Sequence, residues 1–220
     1  MRLFRTFPLA VAGVAAAGFP HDSAQQAFHK SVTRVPVELG VMSRCPDALL
    51  CESVFDRVLE QVSSKINLKL VYVADFNSTD PDFGITCLHG PGECAGNVQQ
   101  LCAARYSNRW WEFVRCQNSR GGFQVGLPAV ALQCAETVGI DWERSGLGDC
   151  AGLDGKGSEG INLLRSSLIS GKALEIKKSC TVLINHNKVC VHDGTWKECA
   201  IGHQVDDFVQ KINNEYERMN

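Results

Sequence analysis

Cys45 is the residue with the clearest chemical potential. It stands in Ser43-Arg44-Cys45-Pro46-Asp47, where an apolar alternation stops and a helical spacing starts. Proline suits the first turn of a helix and an acid is favourable there, so Cys45 falls at a helix N-terminus. Unpaired backbone N–H groups and the helix dipole at that point stabilise a thiolate, the form of cysteine that attacks disulfides. The competing reading is half of a structural bridge. A second cluster, Cys87, His89, Cys94 and Cys102, has residue types that bind zinc, but oxidised cysteines are not ligands, and disulfides are the favoured reading. No metal is therefore expected, and no Ser/His/Asp set, phosphate loop or dinucleotide fingerprint occurs, so no bound cofactor is expected either.

The chain that must position these groups has 220 residues, 45% hydrophobic and 21% charged, which suits one sizeable globular domain. Its formal net charge of −2 makes no case for nucleic acid or an anionic membrane as partner. Eleven cysteines are more than a core needs. Arg2 and Arg5, the apolar run from Phe7 to Ala17 and the small residues Ala15-Ala16-Ala17-Gly18 have the three-part form of a secretory signal. That run is shorter than the ~20 residues that span a bilayer, so cleavage rather than anchoring is expected, with no membrane association afterwards. The expected organisation is a signal peptide over 1–17, a polar leader over 18–34 and one domain over 35–220. On this route disulfides persist, and Asn77-Ser78-Thr79 is a glycosylation sequon.

Within the domain, Val35 to Val41 alternates as a strand. A helix of about four turns follows, with Leu50, Val54 and Val58 beside Cys51, Phe55 and Val62 at helical spacing. Ile66 to Phe76 predicts a second strand, parallel to the first by the handedness of short crossovers. From Asn77 to about Gly171 no strand is evident. Gly96 to Cys116, Pro128 to Val138 and Gly157 to Ser170 carry helical spacing, joined by glycine-rich stretches such as Gly146-Leu147-Gly148. Cys180 to Asn185 and Lys188 to His192 flank Asn185-His186-Asn187 as a hairpin, and Val205 to Tyr216 is a closing helix. The order predicts an α/β, thioredoxin-like domain with a helical insertion at about 77–171, stapled by disulfides. His192 and Asp193 read as turn residues, His203 as a helix-start residue, and Trp110 and Trp111 as packing.

Cys87-Leu-His-Gly-Pro-Gly-Glu-Cys94-Ala-Gly-Asn97, continuing to Cys102, resembles the signature of the gamma-interferon-inducible lysosomal thiol reductase family. That signature runs Cys-Gln-His-Gly, then Glu-Cys and Asn, then Cys, and only its Gln is replaced here, by Leu88. A weaker likeness runs from about Val35 to Cys199. The resemblance implies a thioredoxin-like enzyme, extracellular or in a lysosome or vacuole, that reduces protein disulfides at acidic pH. Its substrates would be disulfide-containing proteins, and its electrons would come from a small thiol or a protein reductant.

The departure from the family is at the helix start. Cys45-Pro46-Asp47-Ala48 has alanine where the family's Cys-x-x-Cys has its second thiol, so release of a mixed disulfide needs a thiol from elsewhere. Cys51, six residues on, lies roughly 9 Å further along a regular helix, beyond the ~7 Å limit for a bridge to Cys45. Cys180 is the better substitute if it occupies the loop before the third core strand, giving the expected redox pair Cys45–Cys180. A structural bridge from Cys180 to Cys190 or Cys199 is the equal alternative. The remaining cysteines, Cys51, Cys87, Cys94, Cys102, Cys116, Cys134, Cys150, Cys190 and Cys199, are the structural disulfide candidates. Two functions follow: a thiol oxidoreductase working through Cys45, or a disulfide-rich binding or structural protein that kept the scaffold and lost the active pair.

Overall fold

Strand β1 (Val35–Val41) lies parallel to β2 (Ile66–Tyr72), with Val35 opposite Ile66 and Val41 opposite Tyr72. Helix α1 (Pro46–Val62) connects them. The computed structural model describes residues 32–220 and, before them, only Leu3, so the expected signal segment and most of the leader lie outside the described residues. In α1, Ala48, Cys51, Val54, Phe55, Val58 and Val62 recur at three- and four-residue spacing and form the buried face. Leu50, expected among them, is instead exposed, because it sits about 100° around the helix from that face.

On the other side of β1 the sheet continues antiparallel through β5 (Thr181–Ile184), β6 (Asn187–Asp193) and β7 (Thr195–Lys197), giving the order β2-β1-β5-β6-β7. Asn185 and His186 both have positive φ, the backbone that a two-residue hairpin turn demands. Helix α7 (Val205–Met219) closes the fold against α1, with the rings of Phe55 and Phe208 5.1 Å apart. This is the α/β, thioredoxin-like arrangement with an inserted helical region.

The insertion differs from the expectation in detail. The second strand ends at Tyr72; Asp75–Phe76 (β3) pairs instead with Ile85–Thr86 (β4) in a small separate ladder. The single helix expected from Gly96 to Cys116 is two, α2 (Pro91–Tyr106) and α3 (Trp110–Ser119), because the chain is extended at Ser107. Then follow α4 (Pro128–Thr137), α5 (Leu147–Ala151), which lies in a stretch that reads as a glycine-rich joint, and α6 (Ser158–Ala173).

Disulfides Cys102–Cys150 and Cys116–Cys134 tie α2 to α5 and α3 to α4. A buried polar chain joins these helices to the sheet. The Tyr72 hydroxyl donates to Gln100 Oε1 (2.7 Å), Gln100 Nε2 to Gln117 Oε1 (3.1 Å), Gln117 Nε2 to Gln99 Oε1 (2.8 Å), and Gln99 Nε2 to the Gly126 carbonyl (3.3 Å). Buried amides are tolerated when hydrogen-bonded in this way, and such a network specifies one packing of the helices. Burial and the nearby Glu52 hold the Tyr72 hydroxyl well above the usual tyrosine range, so it stays a donor.

Gly160 of α6 sits where a Cβ would meet Val98 Cγ1 at 2.5 Å and Cys102 Sγ at 2.9 Å. Overpacking of that kind costs ~1–3 kcal/mol, so Gly160→Ala should lower the urea midpoint without altering the slope. An unchanged midpoint would count against close α2–α6 contact at this position.

Glu52, on α1 and 3% exposed, accepts from Asn118 Nδ2 of α3 at 2.5 Å, while Glu52 Oε1 and Asn118 Oδ1 are buried without partners. Burial pushes the Glu52 carboxyl up to about 7. The unfolded chain loses this proton near the ordinary 4.5 and the folded chain only near 7. Between these values the folded state binds more protons, so this contribution is complete below pH 4.5 and is lost as pH rises towards 7. The difference amounts to about 3 kcal/mol. Urea unfolding followed from pH 4.5 to 7.5 should show stability declining through this window in the native chain and a flatter profile in Glu52→Gln; parallel profiles would contradict the assignment.

Candidate functional site

The loop from Met42 to Arg44 delivers Cys45 to the N-cap of α1. The Cys45 N–H donates to the Met42 carbonyl (2.9 Å) and its carbonyl accepts from Leu49 N–H (3.1 Å), so turn and helix meet at this residue. Cys45 is 7% exposed and is the one free cysteine of the chain. Its Sγ lies 3.9 Å from the Ser179 carbonyl oxygen and 3.9 Å from Asp47 Oδ2. Ala48 is buried one turn on and offers no sulfur.

Ser179-Cys180 therefore lies against the thiol. Ser179 Oγ accepts from the Met42 N–H (3.0 Å), and the Ser179-Cys180 peptide is cis. The expected Cys45–Cys180 bond is not formed. Cys180 is bonded to Cys51, with the Cα atoms 6.3 Å apart. Cys51 is on the fully buried face of α1, where Cys180 enters β5, whereas Cys45 caps the end of the helix. The alternative bridge from Cys180 to Cys190 or Cys199 is also absent, because those two pair with each other across the β6–β7 corner.

His192, which reads as a turn residue, is a buried residue of β6 that exchanges both backbone hydrogen bonds with Cys180. Its Nδ1 lies 2.6 Å from Asp47 Oδ1, which also accepts from the Gly194 N–H at 2.9 Å. Asp47 thus presents one oxygen to His192 and Gly194 and the other to the thiol. Trp196 packs edge-on to the His192 ring with centroids 4.9 Å apart, stacks on His203 at 5.6 Å and lies 6.0 Å from the Phe208 ring. His203 precedes α7 and does not cap it; Gln204 does, in a capping box with Asp207. Asp193 turns outward to Lys178 and Lys197, whose hydrogen bonds hold its carboxyl below the usual range. In the sequence these residues are some 145 positions from Asp47, and only the strand-end position of His192 hinted at the pairing.

The Cys87-to-Asn97 segment supports the site from behind. Cys87 and Cys94 are bonded to each other. Asn97 is fully buried; its Oδ1 accepts from the Ser43 N–H (3.1 Å) and its Nδ2 reaches Cys87 Sγ (3.7 Å). Ser43 Oγ donates to the Glu93 carbonyl (3.1 Å), and the buried Glu93 carboxylate holds His89 Nδ1 at 2.5 Å. Arg44 is anchored by its Nε to the Val125 carbonyl (2.8 Å). Burial lowers its guanidinium from the usual range, and Glu93 partly offsets this. Of the two residues before Cys45, Ser43 is thus clamped by the Cys87–Asn97 segment and Arg44 by Val125.

With Cys87, Cys94 and Cys102 in disulfides and His89 on Glu93, the cluster has no thiolates for zinc. Among the described residues no set of three or more His, Cys, Asp or Glu side chains is arranged to hold a metal ion. Asn77 forms a turn in which its Oδ1 accepts from Thr79 N (3.0 Å) and Oγ1 (2.7 Å), leaving Ser78 and Thr79 exposed. Trp110 and Trp111 pack edge to face in α3, with Trp111 donating to Asp56 at 3.1 Å, away from the thiol. No described helix is long and apolar enough to cross a membrane.

The fold is similar to that of several solved proteins. BdbD from Bacillus subtilis superposes with a TM-score of 0.56 at 12% identity, over 83% of this chain and 88% of that one. The thiol-disulfide exchange protein alpha-DsbA2 from Wolbachia pipientis gives 0.57 at 11% identity, over 84% and 83%. MdbA, a thiol-disulfide oxidoreductase from Corynebacterium diphtheriae, gives 0.55 at 13% identity, over 84% and 86%. In sequence, GILT-like protein 1 of Drosophila melanogaster is 30% identical over 80 residues, which is 34% of this chain and about a third, 32%, of that protein. Residues 36–138, which hold β1, the Cys45 loop, α1 and the clamping segment, match the family described as Gamma interferon inducible lysosomal thiol reductase (GILT). Over this segment the chain is similar to the GILT family, and the fold that carries it is thioredoxin-like.

Proposed function

We propose that the protein is a thiol oxidoreductase that acts on protein disulfides through Cys45. The observation that carries this reading is that, of eleven cysteines, the one left free caps α1 against the Ser179-Cys180 segment. Asp47 Oδ2 offers the Cys45 S–H an acceptor, and His192 and the Gly194 N–H hold the other oxygen in place. The thiolate attacks a substrate disulfide, forming a mixed disulfide and expelling one substrate thiolate; a second thiol must then release the product. The electrons come from a small thiol or a protein reductant.

Five disulfides within residues 32–220 suit an oxidising route, so the setting we propose is the secretory pathway, extracellular or lysosomal, with Asn77 glycosylated. The second reading, a catalytically silent binding or structural protein, is favoured by one observation, Ala48.

Incubation with insulin at acidic and neutral pH should trap a Cys45-linked mixed disulfide that Cys45→Ser abolishes. Absence of adduct in the native chain at both pH values would leave the silent reading. Ala48→Cys, which restores a Cys-x-x-Cys spacing, should raise insulin turnover with glutathione by tenfold or more by resolving the adduct internally; no gain would mean that release is not the slow step.

A further inference from the structure

One free thiol and one buried disulfide lie along the first two turns of α1 with unequal access to solvent. Cys51 and Cys180 are bonded to each other and are 0% exposed, while Cys45 is free and retains 7%. A dissolved thiol has no direct approach to the buried bond. Cys45 is the free thiol beside it: its Sγ lies 3.9 Å from the carbonyl oxygen of Ser179, the residue joined to Cys180. We propose that Cys45 is the port through which the Cys51–Cys180 disulfide exchanges electrons with solution, so that the three cysteines form a relay in place of Cys-x-x-Cys. The inference rests on reading Cys45 as the attacking thiol.

The steps balance without any group beyond thiols. In charging, the Cys45 thiolate attacks Cys180 Sγ; a Cys45–Cys180 bond forms, the Cys51–Cys180 bond breaks, and Cys51 leaves as a thiolate that takes up the proton lost by Cys45. A small thiol such as glutathione then attacks Cys45, freeing Cys180. A second glutathione releases Cys45 as a thiol and departs as glutathione disulfide. Two glutathiones are oxidised and one buried disulfide is reduced. In turnover, Cys45 attacks a substrate disulfide, Cys180 displaces the substrate from Cys45, and Cys51 displaces Cys45 from Cys180. The substrate leaves as a dithiol and Cys51–Cys180 is re-formed with Cys45 free, which is the arrangement in the structure. Cys51 resolves Cys180 and never Cys45, from which it is separated by roughly 9 Å of helix.

The test uses the full chain and glutathione as probe. Reduction of Cys51–Cys180 is followed by quenched alkylation and peptide mass mapping, in the native protein and in Cys45→Ser, which keeps the buried bond. The relay expects the variant to be slower by tenfold or more; equal rates overturn it. As a second measurement, Cys51→Ser treated with glutathione disulfide should yield a Cys45–Cys180 peptide, and recovery of only separately glutathionylated Cys45 with an unlinked Cys180 also overturns it. Insulin trapping separates the two levels of the argument. If Cys45 traps insulin while the glutathione rates are equal, the relay alone fails. If Cys45 reacts with neither insulin nor glutathione disulfide, the oxidoreductase reading fails and the relay with it.

Discussion

The bond between Cys51 and Cys180 joins the buried face of the first helix to the entry of a core strand 129 residues later. In the chain-entropy account, closing a loop of that length is worth about 5 kcal/mol. Its second effect is chemical. By engaging Cys180 with Cys51 it leaves the thiol at the helix start without a bonded partner, although that thiol touches the peptide next to Cys180. One covalent choice therefore decides both how the helix is pinned to the sheet and which sulfur is left unbonded.

Around that choice the structure uses ordinary means to hold Cys45 still. A thiol at a helix end keeps one position against the facing segment only if the loop before it is fixed, and that loop is too short to arrange this alone. Asn97 and the Glu93 carbonyl grip Ser43, Ser179 grips Met42, and Val125 grips Arg44. Two of these grips come from the segment between Cys87 and Asn97, which makes the signature motif a brace for the Cys45 loop. The helices that carry the brace are held by disulfides and by the buried glutamine chain, so a rigid path runs from the insertion to the thiol.

The parts of this architecture with a strong local pattern were legible. Alternation over Val35–Val41, the Pro-Asp start of α1 and the Asn185-His186 turn are short-range features, and the structure has the corresponding elements. Where the pattern was weak or interrupted, reading failed. The break between α2 and α3 depends on how Tyr106 to Arg109 leave one helix and enter the next, and β7 is three residues long, too short for a periodicity. His192 looked like a turn because Gly194 follows it closely; its ladder with Cys180 is made across the β5–β6 hairpin, and its hydrogen bond with Asp47 comes from helix α1, 145 residues earlier.

What the sequence determined by itself was chemical supply and local geometry: a cysteine at a helix start, alanine in place of the second thiol, an even set of ten further cysteines and a family-like motif, all consequences of residue identity and spacing of a few positions. Which sulfur meets which was decided by the tertiary structure. Cysteines are chemically alike along the chain, and a disulfide forms only where Cα atoms come within about 7 Å, a condition set by how helix and sheet pack. Cys51 and Cys180 meet it because the buried stripe of α1 lies over the start of β5, and Cys45 stays free because it belongs to the end of the helix and not to its buried face.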